Sequence, residues 1–278
     1  MTTLTTTADR YLDLLMEAVN GSIYGDQPYL RRVDARSNIR RAATRAVSLA
    51  GVILAVEEQV QASAFEDGRD WPQGRLNPGE SMIGRARLRN VRMAAETVLE
   101  QGVQGDFIET GVWRGGACIL MRGVLAAHGV SDRKVYVADS FQGLPPADSE
   151  DDAAGLHEDM TLAISQQQVR DAFSRYNLLD GQVEFVEGWF ADSLPGLRGT
   201  IWSLIRLDGD MYGSTMDGIS NLYPDLSPGG YVIIDDYLRY KSCRRAIDEY
   251  RHAHGINEGV VSIDEDGVFW RKSDPSRS

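Results

Sequence analysis

The sequence predicts an α/β protein with a seven-stranded, Rossmann-like sheet behind an N-terminal helical extension. Three observations carry this. From Gly105 onward, short apolar runs alternate with stretches of helical period, the pattern of βαβ units and a parallel sheet. Two of the runs, Leu204-Ile205-Arg206-Leu207 and Tyr231-Val232-Ile233-Ile234, read as buried strands that end in carboxylates, Asp208-Gly209-Asp210 and Asp235-Asp236. The last two runs are joined only by the turn Asp264-Glu265-Asp266-Gly267, so a hairpin closes the sheet.

The chain has 278 residues, enough for one large domain or a domain with an appendage, and 42% hydrophobic residues support a full core. We divide it into residues 1–100, an N-terminal helical extension and lid, and residues 101–278, the α/β core. No run of 18 apolar residues exists to span a membrane, and the N-terminus lacks a signal peptide's basic start and apolar core. Cys118 and Cys243 sit in no metal or redox motif, so they read as buried thiols of a cytoplasmic protein. A net charge of −12 argues against nucleic acid or an anionic membrane as partner.

Taken in order, the extension begins with a helix around residues 11–18, with Tyr11, Leu14, Leu15 and Ala18 on one face. Gly21 and Gly25 break it around Ile23-Tyr24. A second helix is expected over residues 37–61; Arg32, Arg36, Arg40, Arg41 and Arg45 in and before it read as a solvated face. Residues 66–80 are rich in Gly, Pro and charge and carry Trp71, as functional lids and disordered segments do. A third helix is expected over 81–101, with Leu88, Val91, Ala95, Val98 and Leu99 on one face.

In the core, strands are expected at 106–109, 134–139, 183–188, 204–207, 231–234, 259–264 and 267–271. Helices are expected at 117–128, 162–176, 215–222 and 243–254. Residues 144–160 hold six acidic side chains and His157. This reads as a solvated loop or as a second lid.

The chemistry gathers at strand ends. If the fourth and fifth strands are parallel neighbours, Asp208, Asp210, Asp235 and Asp236 surround one crevice, where open α/β sheets bind ligands. Carboxylates packed there repel one another and suit a hard cation such as Mg²⁺ or Ca²⁺. The turn with Gly111, Gly115 and Gly116 follows the first strand and opens a helix, so backbone can approach a ligand closely. Glu109 before it would repel a pyrophosphate but could pair with an amino-bearing ligand. Asp139, ending the second strand, is placed to accept hydrogen bonds from ribose hydroxyls. Together these point to S-adenosylmethionine rather than NAD.

The stretches from Gly105 to Gly116, Val137 to Phe141, Arg206 to Tyr212 and Leu226 to Tyr237 resemble the macrocin O-methyltransferase (TylF) family. Ser81-Met82-Ile83-Gly84, where relatives usually start with Thr, and the Ile23-Tyr24 break also match, so the resemblance covers nearly the whole chain. It implies a seven-stranded S-adenosylmethionine-dependent methyltransferase fold and methyl transfer to a sugar hydroxyl of a glycosylated, antibiotic-type secondary metabolite. It implies Mg²⁺ held by Asp208, Asp235 and Asp236. The cofactor would lie on Glu109, Thr110, Gly111, Gly115 and Gly116, with Asp139 and Ser140 at the ribose, Gly188 and Trp189 near the adenine and Met82 in the lid. A sugar hydroxyl is a poor nucleophile; a bound cation lowers its pKa and a carboxylate, Asp208 or Asp210, takes the proton. His157 is an outside candidate for that role.

Three other readings compete. Asp208-Gly209-Asp210 is a DxD, as in metal-dependent glycosyltransferases, which leaves the glycine turn and Asp235-Asp236 unexplained. Tyr237 to Lys241 reads YxxxK, as in short-chain dehydrogenases, but it follows a strand where that motif wants a helix. An acidic binding module leaves both aspartate clusters unexplained. The N-terminal helices also offer a face for a homodimer, and acceptor choice is expected in residues 20–80 and 144–160.

Overall fold

The computed structural model describes residues 6–24, 28–32, 55–59, 79–153 and 155–274. Helix α1 (Thr7–Asn20) starts at a capping box, in which the Thr6 hydroxyl accepts from the Asp9 N–H and the Asp9 carboxylate accepts from the Thr6 N–H. Gly21 ends it in the left-handed region. Its buried face is Leu12, Leu15, Met16 and Val19, whereas Tyr11 and Leu14 are exposed. Two overlapping apolar stripes exist in this helix, and packing against the helices at Gly116–Ala127 and Arg85–Glu100 chose between them.

The helix expected over 37–61 is corrected at its end. Ala55–Gln59 is a strand, β2, paired antiparallel with β1 (Pro28–Arg32). Pairing with a distant partner supplies backbone bonds that local period does not encode. Residues 37–54, 60–61 and 66–78, with Trp71, lie outside the described residues. Helix α2 (Arg85–Glu100) begins later than expected, after an extended Gly84, and buries Leu88, Val91, Ala95 and Val98 as expected.

The main sheet comprises β3 (Asp106–Thr110), β4 (Val135–Asp139), β5 (Val183–Glu187), β6 (Trp202–Leu207), β7 (Leu226–Ile234), β8 (Val261–Ser262) and β9 (Val268–Arg271), in the order β5-β4-β3-β6-β7-β9-β8. The first five are parallel, and β9 runs antiparallel to both neighbours. The chain steps outward from β3 to β5, then returns to place β6 on the other side of β3. The switch point therefore lies between β3 and β6, where such sheets open a crevice at their carboxyl ends.

Alternate residues of the inner strands enter two cores, as a sheet covered on both faces requires. Phe107, Val137, Leu204 and Ile233 pack against α1, α2, α3 (Gly116–Ala127) and α4 (Gln166–Arg175). Ile108, Ile205, Val232 and Trp270 pack with α6 (Tyr212–Leu222) and α7 (Lys241–Ala253), and the short helix α5 (Phe190–Ser193) packs against this second core. The N-terminal helices thus share a core with the sheet. No helix among the described residues is long and apolar enough to cross a membrane.

The acidic segment before α4 is tied down. The buried Asp152 carboxylate accepts from the backbone N–H of Asp148, Ser149 and, at 2.8 Å, Tyr212. Arg245 on α7 bonds Asp151 and Ser149.

Candidate active site

Backbone geometry builds the β3–β4 side of the crevice. A Cβ on Gly111 (φ 79°) would lie 1.8 Å from the Asp208 carbonyl oxygen, so only glycine lets the ends of β3 and β6 meet. A Cβ on Gly116 would lie 2.5 Å from the Ser81 Cβ, and the Gly116 N–H donates to the Glu80 carbonyl at 2.9 Å. The N-terminal segment is thereby strapped across the turn. At the tip of β4, Asp139 accepts from the Val112 and Phe141 N–H groups, both at 2.8 Å. Burial pushes its carboxyl up, against the pull of those bonds. A carboxylate has further lone pairs, so Asp139 keeps acceptor capacity toward a ligand. The Ser140 hydroxyl donates to the Gly143 carbonyl and accepts from the Gln142 N–H, closing the next turn.

Charged side chains build the β6–β7 side. Each strand tip is pinned to its neighbour: the Asp208 N–H donates to the Thr110 carbonyl and the Asp235 N–H to the Leu207 carbonyl, both at 2.9 Å. Asp208, Asp210 and Asp236 each bring one oxygen to within 4.8 Å of the others. Asp210 takes φ 53°, in the left-handed region, to do so. Asp236 Oδ2 is buried with no hydrogen-bond partner. Burial raises the Asp208 carboxyl well above its usual range, helped by Asp235 and opposed by Arg206; burial and then Asp210 and Asp208 raise Asp236. An orphaned buried oxygen among three converging carboxylates fits a hard divalent cation.

Asp235 is not in that trio. One oxygen accepts from Arg87 Nη1 at 2.5 Å and the other from Arg206 Nη2. Burial opposes its ionisation, but the two guanidinium groups outweigh it and hold the carboxyl low. The sequence expectation of Asp208, Asp235 and Asp236 thus differs from the group that geometry assembles, which has Asp210 in place of Asp235. Both Asp235 oxygens accept from buried guanidinium groups and, as at Asp139, keep further lone pairs.

A cavity of about 390 Å³ joins the two sides, within the range of small-molecule sites. Of the ten residues expected around a cofactor, Met82, Glu109, Gly111, Gly116, Asp139, Ser140 and Trp189 line it. Thr110, Gly115 and Gly188 do not. Thr110 Oγ1 points toward Gly218 of α6, Gly115 backs onto Val169, and Gly188 packs against Ser193 while donating to the Asp139 carbonyl. Asp208, Asp210, Asp235 and Asp236 all line the cavity.

Sequence reasoning missed several wall residues. Leu156, Met160, Thr161 and Leu162 bring the acidic segment to the cavity, and Trp113 Nε1 donates to the Thr161 carbonyl at 3.0 Å. His157 is not on the wall. Arg239 and Tyr240 line the cavity beyond β7. Arg206 is a lone charge inside an apolar strand, and that is the sequence signal for it. Tyr237, the tyrosine of the YxxxK pattern, instead donates to Asp248 at 2.6 Å and is buried outside the cavity.

The sequence profile of the family described as Macrocin-O-methyltransferase (TylF) matches residues 8–272. Demethyldecarbamoylnovobiocin O-methyltransferase of Streptomyces niveus is 43% identical, over 95% of this chain and 93% of that protein. Mycinamicin III 3''-O-methyltransferase of Micromonospora griseorubida is 44% identical, over 96% of this chain and 98% of that one. Among solved structures, the O-methyltransferase NovP superposes with a TM-score of 0.79 at 41% identity, covering 96% of this chain and all of that one. The calicheamicin methyltransferase CalS11, at 20% identity and a TM-score of 0.54, covers 68% of this chain and 79% of that one and shares the fold.

Proposed function

We propose that this chain, which belongs to the macrocin-O-methyltransferase (TylF) family, methylates a sugar hydroxyl of a glycosylated secondary metabolite in a reaction that needs a divalent cation, in the first place Mg²⁺. The observation that carries this is one cavity with the glycine turn and Asp139 at one side and three converging carboxylates at the other. The relatives' names support the acceptor class, because novobiocin and mycinamicin derivatives are what those enzymes methylate by name.

Asp208, Asp210 and Asp236 would hold the cation. A cation held there would lower the pKa of an acceptor hydroxyl. S-adenosylmethionine supplies the methyl group as an activated sulfonium substituent. Glu109, the Gly111–Gly116 turn, Asp139 and Trp189 would hold that cofactor, with Met82 closing over it. The chain's own task is then mainly positioning, which brings the hydroxyl into line with the methyl group. Asp208 or Asp210 takes the hydroxyl proton. Leu156, Met160 and Leu162 add apolar lining to the cavity. A cytoplasmic location and a homodimer belong to the same reading; light scattering tests the dimer, and a monomeric mass at micromolar concentration would refute it.

The test is incubation with S-adenosylmethionine and demethylated aminocoumarin and macrolide glycosides, with Mg²⁺ or with EDTA, followed by mass spectrometry. A gain of one methyl group on the sugar, lost in EDTA, is expected. Methylation undiminished in EDTA would remove the cation from the mechanism, and methylation confined to an aglycone hydroxyl would remove the sugar.

A further inference from the structure

Arg206 stands where the two sides of the cavity meet. It lies on β6 directly opposite Glu109 of β3, its register partner. Its guanidinium is buried. Nη1 donates both to Glu109 and, at 3.0 Å, to Asp208; Nη2 donates to Asp235. The other Glu109 oxygen accepts from the Cys118 thiol at 2.8 Å. Arg87, also buried, reaches Asp235 from α2 and bonds Asp264 at 3.0 Å as well. Arg206 is thus the only one of these two arginines that touches both Glu109, beside the glycine turn, and Asp208, in the carboxylate trio.

We propose that Arg206 is a positioning residue that makes cofactor and cation binding mutually antagonistic. The inference rests on the reading that this cavity takes both. One Nη1 group serves two carboxylates. Nη1 has two hydrogens and gives one to each carboxylate, so its position is a compromise between them; a cation that draws Asp208 away lets the guanidinium move toward Glu109, which is then more fully neutralised. A carboxylate so neutralised holds the ammonium of an amino-acid-bearing cofactor less well. In the other direction, an ammonium that engages Glu109 returns Nη1 to Asp208, where it competes with the cation. Coupling of this kind is reciprocal by thermodynamic necessity. The consequence is that Arg206 limits simultaneous tight binding of the two ligands.

The experiment is calorimetric titration of the full chain with S-adenosylhomocysteine, with and without Mg²⁺, matched by Mn²⁺ binding followed by electron paramagnetic resonance with and without S-adenosylhomocysteine. Each ligand should weaken the other by about fivefold or more, the lower end of measured couplings, and by equal factors. In Arg206→Lys, an ammonium cannot span the same three carboxylates, and the factor should fall below about twofold while both ligands still bind. Glu109→Gln, which keeps the shape and removes the charge, should also abolish the coupling and decides the matter if Arg206→Lys does not fold. Wild-type ligands that bind independently, or that tighten one another, overturn the proposal while leaving the proposed function standing, as does coupling undiminished in either variant. Wild-type protein that binds no S-adenosylhomocysteine or no Mn²⁺ overturns the underlying reading and this inference together.

Discussion

The β3–β4 side and the β6–β7 side of the cavity are built from different materials. At β3–β4 the shape comes from backbone: Gly111 in a left-handed conformation, a tight contact at Gly116, and Asp139 accepting two backbone N–H groups. At β6–β7 the shape comes from charge: three carboxylates converge, and two buried arginines balance a fourth. Backbone geometry is rigid and costs little to keep empty. Packed like charges are costly to keep empty, since burial penalises each ion and each neighbour repels it. The first side is therefore a preformed cradle, and the second is poised to gain from a cation.

Substitutions can break that contrast. The largest effect is expected at the charged side, where Asp208→Asn or Asp210→Asn, whichever removes the base, should lower turnover by roughly 100- to 10,000-fold. The other variant should lose cation affinity with a smaller loss of rate at saturating Mg²⁺. Equal, small losses from both would show that neither takes the proton. Asp236→Asn should likewise lose cation affinity, with turnover falling at limiting Mg²⁺, and leave S-adenosylhomocysteine affinity largely intact; full activity of that variant in EDTA would end its cation role.

At the backbone side the expected loss is of stability. Gly111→Ala places a methyl group on the Asp208 carbonyl and should destabilise by roughly 3–4 kcal/mol, the range of severe single substitutions. Chemical denaturation measures it, and a change under about 1 kcal/mol would show that the two strand tips separate readily. Asp139→Ala should weaken S-adenosylhomocysteine by about 10-fold and also cost roughly 1–3 kcal/mol of stability, because two backbone N–H groups lose their acceptor. Lower stability with unchanged affinity would assign Asp139 to the turns alone. The smallest effect sharpens the border between the sides: Cys118→Ala removes one neutral donor from Glu109 and should cost about 1 kcal/mol, with affinity for S-adenosylhomocysteine changed less than about threefold.

Much of the fold was legible in the chain because its signals are local. The alternation of apolar runs with helical stretches from Gly105 onward predicted seven strands and the closing hairpin, whereas the order β5-β4-β3-β6-β7-β9-β8 was set by tertiary pairing. The glycine turn and the aspartates after two buried strands were equally visible, since a strand end and a turn are properties of a few consecutive residues. Tertiary structure decided the rest. Which three of four aspartates converge depends on Arg206, 29 residues from Asp235, and on Arg87, 148 residues from it. The buried stripe of α1 and the pairing of β1 with β2 were settled in the same way, by partners remote in sequence. Periodicity records which side of an element is apolar and where it stops. It carries no record of which buried charge will find which counter-charge, because that balance exists only once the strands stand side by side.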